Sequence, residues 1–202
     1  AYARAPENFA PEVRAAIADT PSSFERVARQ MRWTEVAFVG DRPRKNENRA
    51  LLGGGGQTSI ALARLIESAQ QRVVIQSPYL VASDEALALL GEVRARGVGV
   101  RISTNSLAST DNLPAFSGYR NQRDRLLDMG LQIFEYRPAP KVQQQLVQRL
   151  GAAQRSAPVF ALHAKTLVVD GKTVYIGTFN FDPRSQNLNT EVGVVIHDEV
   201  LA

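Results

Sequence analysis

The stretch His163-Ala-Lys165-Thr-Leu-Val-Val-Asp170-Gly171-Lys-Thr-Val-Tyr-Ile-Gly177-Thr178-Phe-Asn180 decides how this chain reads. Leu162, Ala164, Thr166 and Val168 alternate with His163, Lys165, Leu167 and Val169, the period of a β-strand. Asp170-Gly171 is a preferred tight-turn pair, and Val174 and Ile176 carry a return strand. The whole predicts a β-hairpin over 161–178. Residues two apart on a strand share a face, so His163 and Lys165 are expected side by side. The return strand brings Thr178 and Asn180 back beside them, while Asp170 falls at the far end.

Each of these residue types suits phosphoryl transfer. Imidazole titrates near neutrality, so it can attack phosphorus or protonate a leaving oxygen. Lysine brings a compact positive charge to phosphate oxygens. An amide and a hydroxyl add neutral donors. Such donors can offset the developing charge without a metal, and no cofactor is implied.

The pattern H-x-K-x4-D-x6-G-[ST]-x-N is met at all six specified positions. By this motif the chain resembles the phospholipase D superfamily, whose members cleave or exchange phosphodiester bonds. The motif occurs once, whereas the family's active site is assembled from two copies. The resemblance implies catalytic roles for His163, Lys165, Asp170, Asn180 and Glu191. His163 would be the general acid and later base. Lys165 and Asn180 would hold phosphate oxygens, and Thr178 would assist them. Glu191 stands where family members have an acidic residue that hydrogen-bonds the motif histidine. Asp170 belongs to the signature, although its Asp-Gly context reads as a turn. Asp182-Pro183-Arg184-Ser185 reads as a helix start with proline at the first position.

The likeness continues upstream and is similar to cardiolipin-synthase-like members. Val73-Val-Ile-Gln-Ser77-Pro78-Tyr79-Leu80, Thr104-Asn105-Ser106-Leu107 and Asp41-Arg-Pro43-Arg-Lys45 resemble their strand-and-turn, "TNSL" and "D-x-P-x-K" segments. Ser77, Tyr79 and Asn105 fall at expected strand C-termini, where α/β sheets place ligands, and are candidate substrate-binding residues. Phe116 departs from the histidine often found there. His197 lacks the motif and reads as a surface residue at a strand end.

The composition allows one domain with a sizeable core: 202 residues, 44% hydrophobic, no cysteine. The apolar runs are too short for a transmembrane helix or signal peptide. The net charge of +4 suits anionic lipid headgroups or nucleic acid without choosing between them. Gly53 to Gly56 lacks the Gly-Lys-Ser/Thr ending of a phosphate-binding loop and reads as a plain loop.

Residues 1–32 read as a linker or packing arm with helices over 11–19 and 22–31, and 33–202 as a C-terminal catalytic lobe. Within the lobe, 36–39 is a strand. Helices are expected at 57–70, 83–96, 118–129 and 141–150, and strands at 73–77, 99–104, 131–136, 163–169, 173–178 and 192–196. This alternation predicts an α/β sandwich with a central mixed sheet. A further helix is expected after Asp198. The missing first motif and this interrupted helix suggest a C-terminal piece of a longer protein. The resemblance implies phosphatidyl transfer or hydrolysis on phospholipids, with an N-terminal lobe or a second copy of the chain completing the site. It also implies a cytoplasmic location with peripheral contact at the inner membrane. A nucleic-acid phosphodiesterase acting as a homodimer, and a non-catalytic lobe, remain as alternatives.

Overall fold

The computed structural model describes residues 11–43, 45, 56–138 and 160–202. The chain divides into two compact units, residues 1–33 with 138–160, and residues 34–137 with 161–202. In the first, α1 (Pro11–Ala18) and α2 (Thr20–Arg29) bury no residue. Asp19 accepts hydrogen bonds from the Ser22 and Ser23 hydroxyls at 2.6 and 2.9 Å. The helix expected over 141–150 lies outside the described residues.

The second unit carries the sheet. Its elements run β1 (Val36–Gly40), α3 (Gln57–Glu67), β2 (Arg72–Gln76), α4 (Asp84–Ala95), β3 (Gly99–Asn105), α5 (Leu113–Asp128), β4 (Gln132–Tyr136), β5 (Thr166–Val169), β6 (Thr173–Gly177), α6 (Pro183–Asn187) and β7 (Val192–His197). Seven strands form one mixed sheet in the order β1-β7-β6-β5-β2-β3-β4. β2, β3 and β4 are parallel, and every other pairing is antiparallel. The expected α/β architecture, a central mixed sheet flanked by helices, is the one found.

Alternation decides which face is covered. Ile75, Ile102, Leu167, Tyr175 and Val195 are linked as cross-strand partners, so they share one face, and all are buried. Leu62 and Ile66 of α3, Leu87, Leu90 and Val93 of α4, and Tyr119 and Leu126 of α5 complete that core. Burial of each large aliphatic side chain contributes roughly 1.5–3 kcal/mol.

The register also gathers one end of the sheet. β2, β3 and β4 finish there, as do β1 and β6, while β5 and β7 begin there. Asp41, Ser77, Asn105, Lys165, Thr178 and Glu191 each adjoin that end of their strand. Six separate stretches of sequence thus meet at one rim.

The hairpin forms with one adjustment. Asp170 (φ 54°) and Gly171 (φ 67°) are both left-handed, as a tight hairpin turn demands, and the Lys172 N–H donates to the Val169 carbonyl at 3.0 Å. The first strand, however, begins at Thr166 rather than at 163. Its partner β2 ends at Gln76, opposite Thr166, and Pro78 lacks the N–H to continue the ladder. α5 likewise starts at Leu113, earlier than expected. Asn112 caps it, its side chain accepting from the Ala115 N–H at 3.1 Å, and Pro114 fits the first turn. After Asp198 the chain makes a turn rather than a helix.

Asp170 has a task of its own. Its carboxylate accepts the backbone N–H groups of Gln70, Gln71 and Arg72 at 2.9, 2.8 and 2.8 Å, closing the loop between α3 and β2. Partial burial opposes ionisation, but these donors outweigh it and hold the carboxyl below its ordinary range. A depressed folded pKa gives stability that is present above the unfolded value near ~3.9 and is lost as pH falls through the folded one. Asp170→Asn keeps the turn but removes the charge. It is expected to cost about 1–3 kcal/mol at pH 7 and to flatten the decline of the urea midpoint between roughly pH 5 and 2. A midpoint unchanged at neutral pH would refute this account.

Candidate active site

The rim residues are built on a layer of backbone ties. Gly177 and Gly193 face each other across β6 and β7, and the buried ring of Tyr175 lies over both. A Cβ at Gly177 would meet the Tyr175 hydroxyl and stand 2.5 Å from the Val192 carbonyl oxygen; one at Gly193 would stand 2.6 Å from the Tyr175 Cζ. The glycine of the motif is therefore a packing requirement. Burial raises the Tyr175 hydroxyl to about 12. Gly177→Ala and Gly193→Ala should each destabilise by about 1–3 kcal/mol. Adding Tyr175→Leu should relieve Gly193→Ala, whose clash is with the ring. It should not relieve Gly177→Ala, whose clash includes backbone. A double-mutant cycle in urea checks the difference.

Immediately after Gly177, Thr178 bridges the ends of β6 and β7. Its N–H donates to the Val192 carbonyl at 2.9 Å, and its hydroxyl accepts the Val192 N–H at 3.0 Å. The same hydroxyl donates to the carboxylate of Glu191, which is 3% exposed. The bond expected between Glu191 and the His163 ring is not formed among the described residues; the Thr178 hydroxyl takes that carboxylate instead.

Glu191 is held by a buried pair of charges from the other end of the chain. Asp41 accepts the Glu191 N–H at 3.0 Å and returns its own N–H to the Glu191 carbonyl at 2.9 Å. Its second oxygen caps α3 through the Thr58 N–H at 2.9 Å, and Gly56 leaves the room this needs. Lys45 donates to Asp41 at 2.6 Å and to the Ser185 carbonyl at 2.7 Å. Burial acts to raise the Asp41 carboxyl, but Lys45 and the backbone donors outweigh it and hold the carboxyl below its usual range.

His163 is exposed at the rim, three residues before β5. Its placement depends on Asn105, which is 2% exposed. The Asn105 amide accepts the Leu162 N–H at 2.8 Å and donates to the Leu162 carbonyl at 3.0 Å, reading the residue before His163 as a strand partner would. Lys165 donates to the His163 carbonyl at 3.1 Å. Burial lowers the Lys165 ammonium from its ordinary value, while the charges of Glu191, Asp111 and Asp182 act the other way. Asn180 donates its N–H to the Ser185 hydroxyl at 3.1 Å, and its Oδ1 is buried with no partner among the described residues.

Several expected roles change in this setting. Ser77 is fully buried, its hydroxyl donating to the Tyr79 carbonyl at 2.6 Å and accepting the Phe181 N–H at 3.0 Å. Ser77 and Asn105 thus both brace backbone at the rim. Tyr79 reaches the rim, where its hydroxyl donates to Asp111 at 2.9 Å; burial, then Asp111, raise it above the ordinary phenol range. Asp170 stands apart, at the opposite end of β5. Asp182 caps α6 through the Ser185 N–H at 2.7 Å, and burial raises its carboxyl. His197 ends β7 and its Nδ1 pairs with the Thr173 hydroxyl at 2.9 Å. Asp111 was not singled out from sequence; only the folded chain shows its charge acting on Lys165.

Known proteins resemble this chain in sequence and in fold. The chain is 39% identical to cardiolipin synthase C of Escherichia coli (strain K12) over 173 residues, covering 84% of this chain and 35% of that relative. It thus spans about a third of that relative's length. Two solved structures share the fold: Nuc of Salmonella typhimurium, a phospholipase D family member, and NucT of Helicobacter pylori. Nuc superposes with a TM-score of 0.53 at 19% identity, covering 83% of this chain and 87% of that one. NucT gives 0.56 at 18%, covering 84% and 89%. The family model described as cardiolipin synthase, PLD-like domain matches residues 62–202, and the chain belongs to that family.

Proposed function

We propose that this chain supplies one half of a phospholipid phosphatidyltransferase site. The observation that carries the reading is the meeting of His163, Lys165, Thr178 and Asn180 at one rim in a chain 39% identical to a cardiolipin synthase. A histidine from a first motif attacks phosphorus. As the P–N bond forms and the P–O bond breaks, His163 gives its proton to the leaving alkoxide. An acceptor alcohol, or water, then yields its proton to His163 while its oxygen attacks phosphorus and the P–N bond breaks. Lys165 and Asn180 hold phosphate oxygens. The Asn180 Oδ1 is buried with no partner among the described residues, so none of the described bonds to that oxygen fixes the amide away from a phosphate. No described helix is long and apolar enough to cross a membrane, and contact with lipid would be peripheral.

A second reading has its own support. The chain covers 87% and 89% of two solved chains of this fold, so one lobe can be nearly a whole chain. Two copies would then assemble a site, and a nucleic-acid backbone would be a possible substrate.

The deciding experiment measures phosphatidyl transfer by this chain alone, and by this chain mixed with a separately produced N-terminal half. Transfer only in the mixture supports the shared lipid site. Cleavage of a generic phosphodiester by a sedimenting dimer, without lipid transfer, supports the second reading.

A further inference from the structure

A cavity lies beside the motif loop. It holds about 240 Å³ and is lined by α3, by the first half of α4, and by Phe179 and Phe181, which flank Asn180. Ile60, Leu62 and Ala63 form one wall, Ala86 and Leu89 the other. Both helices begin at the rim that carries His163. Charge appears only around the cavity, at Glu85 and Asp182. The charge of Asp182, which lines the cavity, also acts on the Lys165 ammonium.

We propose that this cavity receives hydrocarbon, a segment of one acyl chain of the phospholipid whose phosphate lies at Lys165. This rests on the lipid reading above. A phosphodiester has two substituents. In a nucleic acid both are polar and would leave these carbon walls unpaired, whereas an acyl chain satisfies them by removing apolar area from water. The two acidic side chains disfavour an anionic occupant. Ala63, Ala82 and Ala86 are small residues of its lining, and the first and last lie on α3 and α4.

The neutral apolar dye N-phenyl-1-naphthylamine provides a readout that needs no catalysis. It should bind this chain saturably and be displaced by dihexanoylphosphatidylglycerol below its micelle concentration, but not by the deacylated headgroup. Ala63→Leu and Ala86→Leu, each filling part of the space, should weaken dye and lipid about tenfold or more with unchanged thermal midpoints. His163→Ala should bind normally. Should one filling variant melt early, the other carries the comparison. Absence of saturable binding, equal binding by both variants, or equal displacement by the headgroup overturns the proposal. Dye and lipid binding without phosphatidyl transfer by the reconstituted protein would leave the hydrocarbon site standing and remove the catalytic reading.

Discussion

Alanine at position 163 is expected to lower phosphatidyl turnover of the reconstituted protein roughly 10²–10⁴-fold, the usual contribution of a positioned acid-base group. The loss should fall on kcat, because in the proposed site Lys165 and Asn180 would still hold the phosphate. Stability should hardly move. The His163 side chain is exposed and makes none of the described hydrogen bonds, and substitutions at such sites change stability by less than about 0.5 kcal/mol. Turnover within a few-fold of the parent would remove His163 from the chemistry. A matching fall in thermal midpoint would assign it a structural task. Glu191→Gln makes a useful companion. It keeps an acceptor for the Thr178 hydroxyl while removing the charge beside Lys165, so it should alter the pH profile more than the fold.

The second large effect belongs to a buried ion pair. Lys45 and Asp41 are 7% and 0% exposed in their side chains. Lys45→Met leaves the Asp41 carboxylate buried with its backbone donors but without a countercharge. Breaking a buried pair in this way costs about 3–5 kcal/mol. Lys45→Met with Asp41→Asn should recover part of that loss, since the amide oxygen still accepts from Thr58 or Glu191. The acid limb supplies a second readout. The folded pKa of Asp41 is depressed, so its stabilisation is present above the unfolded value near ~3.9 and disappears as pH falls through the folded one. Without Lys45 the folded value rises, and in urea titrations the decline should begin at higher pH. A loss below about 1 kcal/mol would mean that the pair is energetically neutral.

Local signals were legible in the sequence, and long-range ones were not. Asp170-Gly171 announced its turn because few residues tolerate two successive left-handed conformations, and six motif positions announced the family. The start of β5 was hidden because alternation continues through His163 and Lys165, while the ladder depends on where a different strand stops. Asn105 and Ser77 stood at the right strand ends, but sequence cannot tell a side chain that braces backbone from one that meets a ligand. The hold of Asp41 on Glu191 spans 150 residues, and no local pattern encodes such a tie. The earlier start of α5 was within reach: Asn112 followed by Pro114 is a capping signal.

The pairing of β1 with β7 has a consequence for how the protein comes into being. Among the described residues, 36–40 pair with 192–196 alone, so this sheet edge and the seat of Glu191 stay open until 192–196 leave the ribosome. Contacts of such wide sequence separation form late and slowly. A nascent chain stalled before residue 191 would carry His163 and Lys165 without the acidic partner that completes their surroundings.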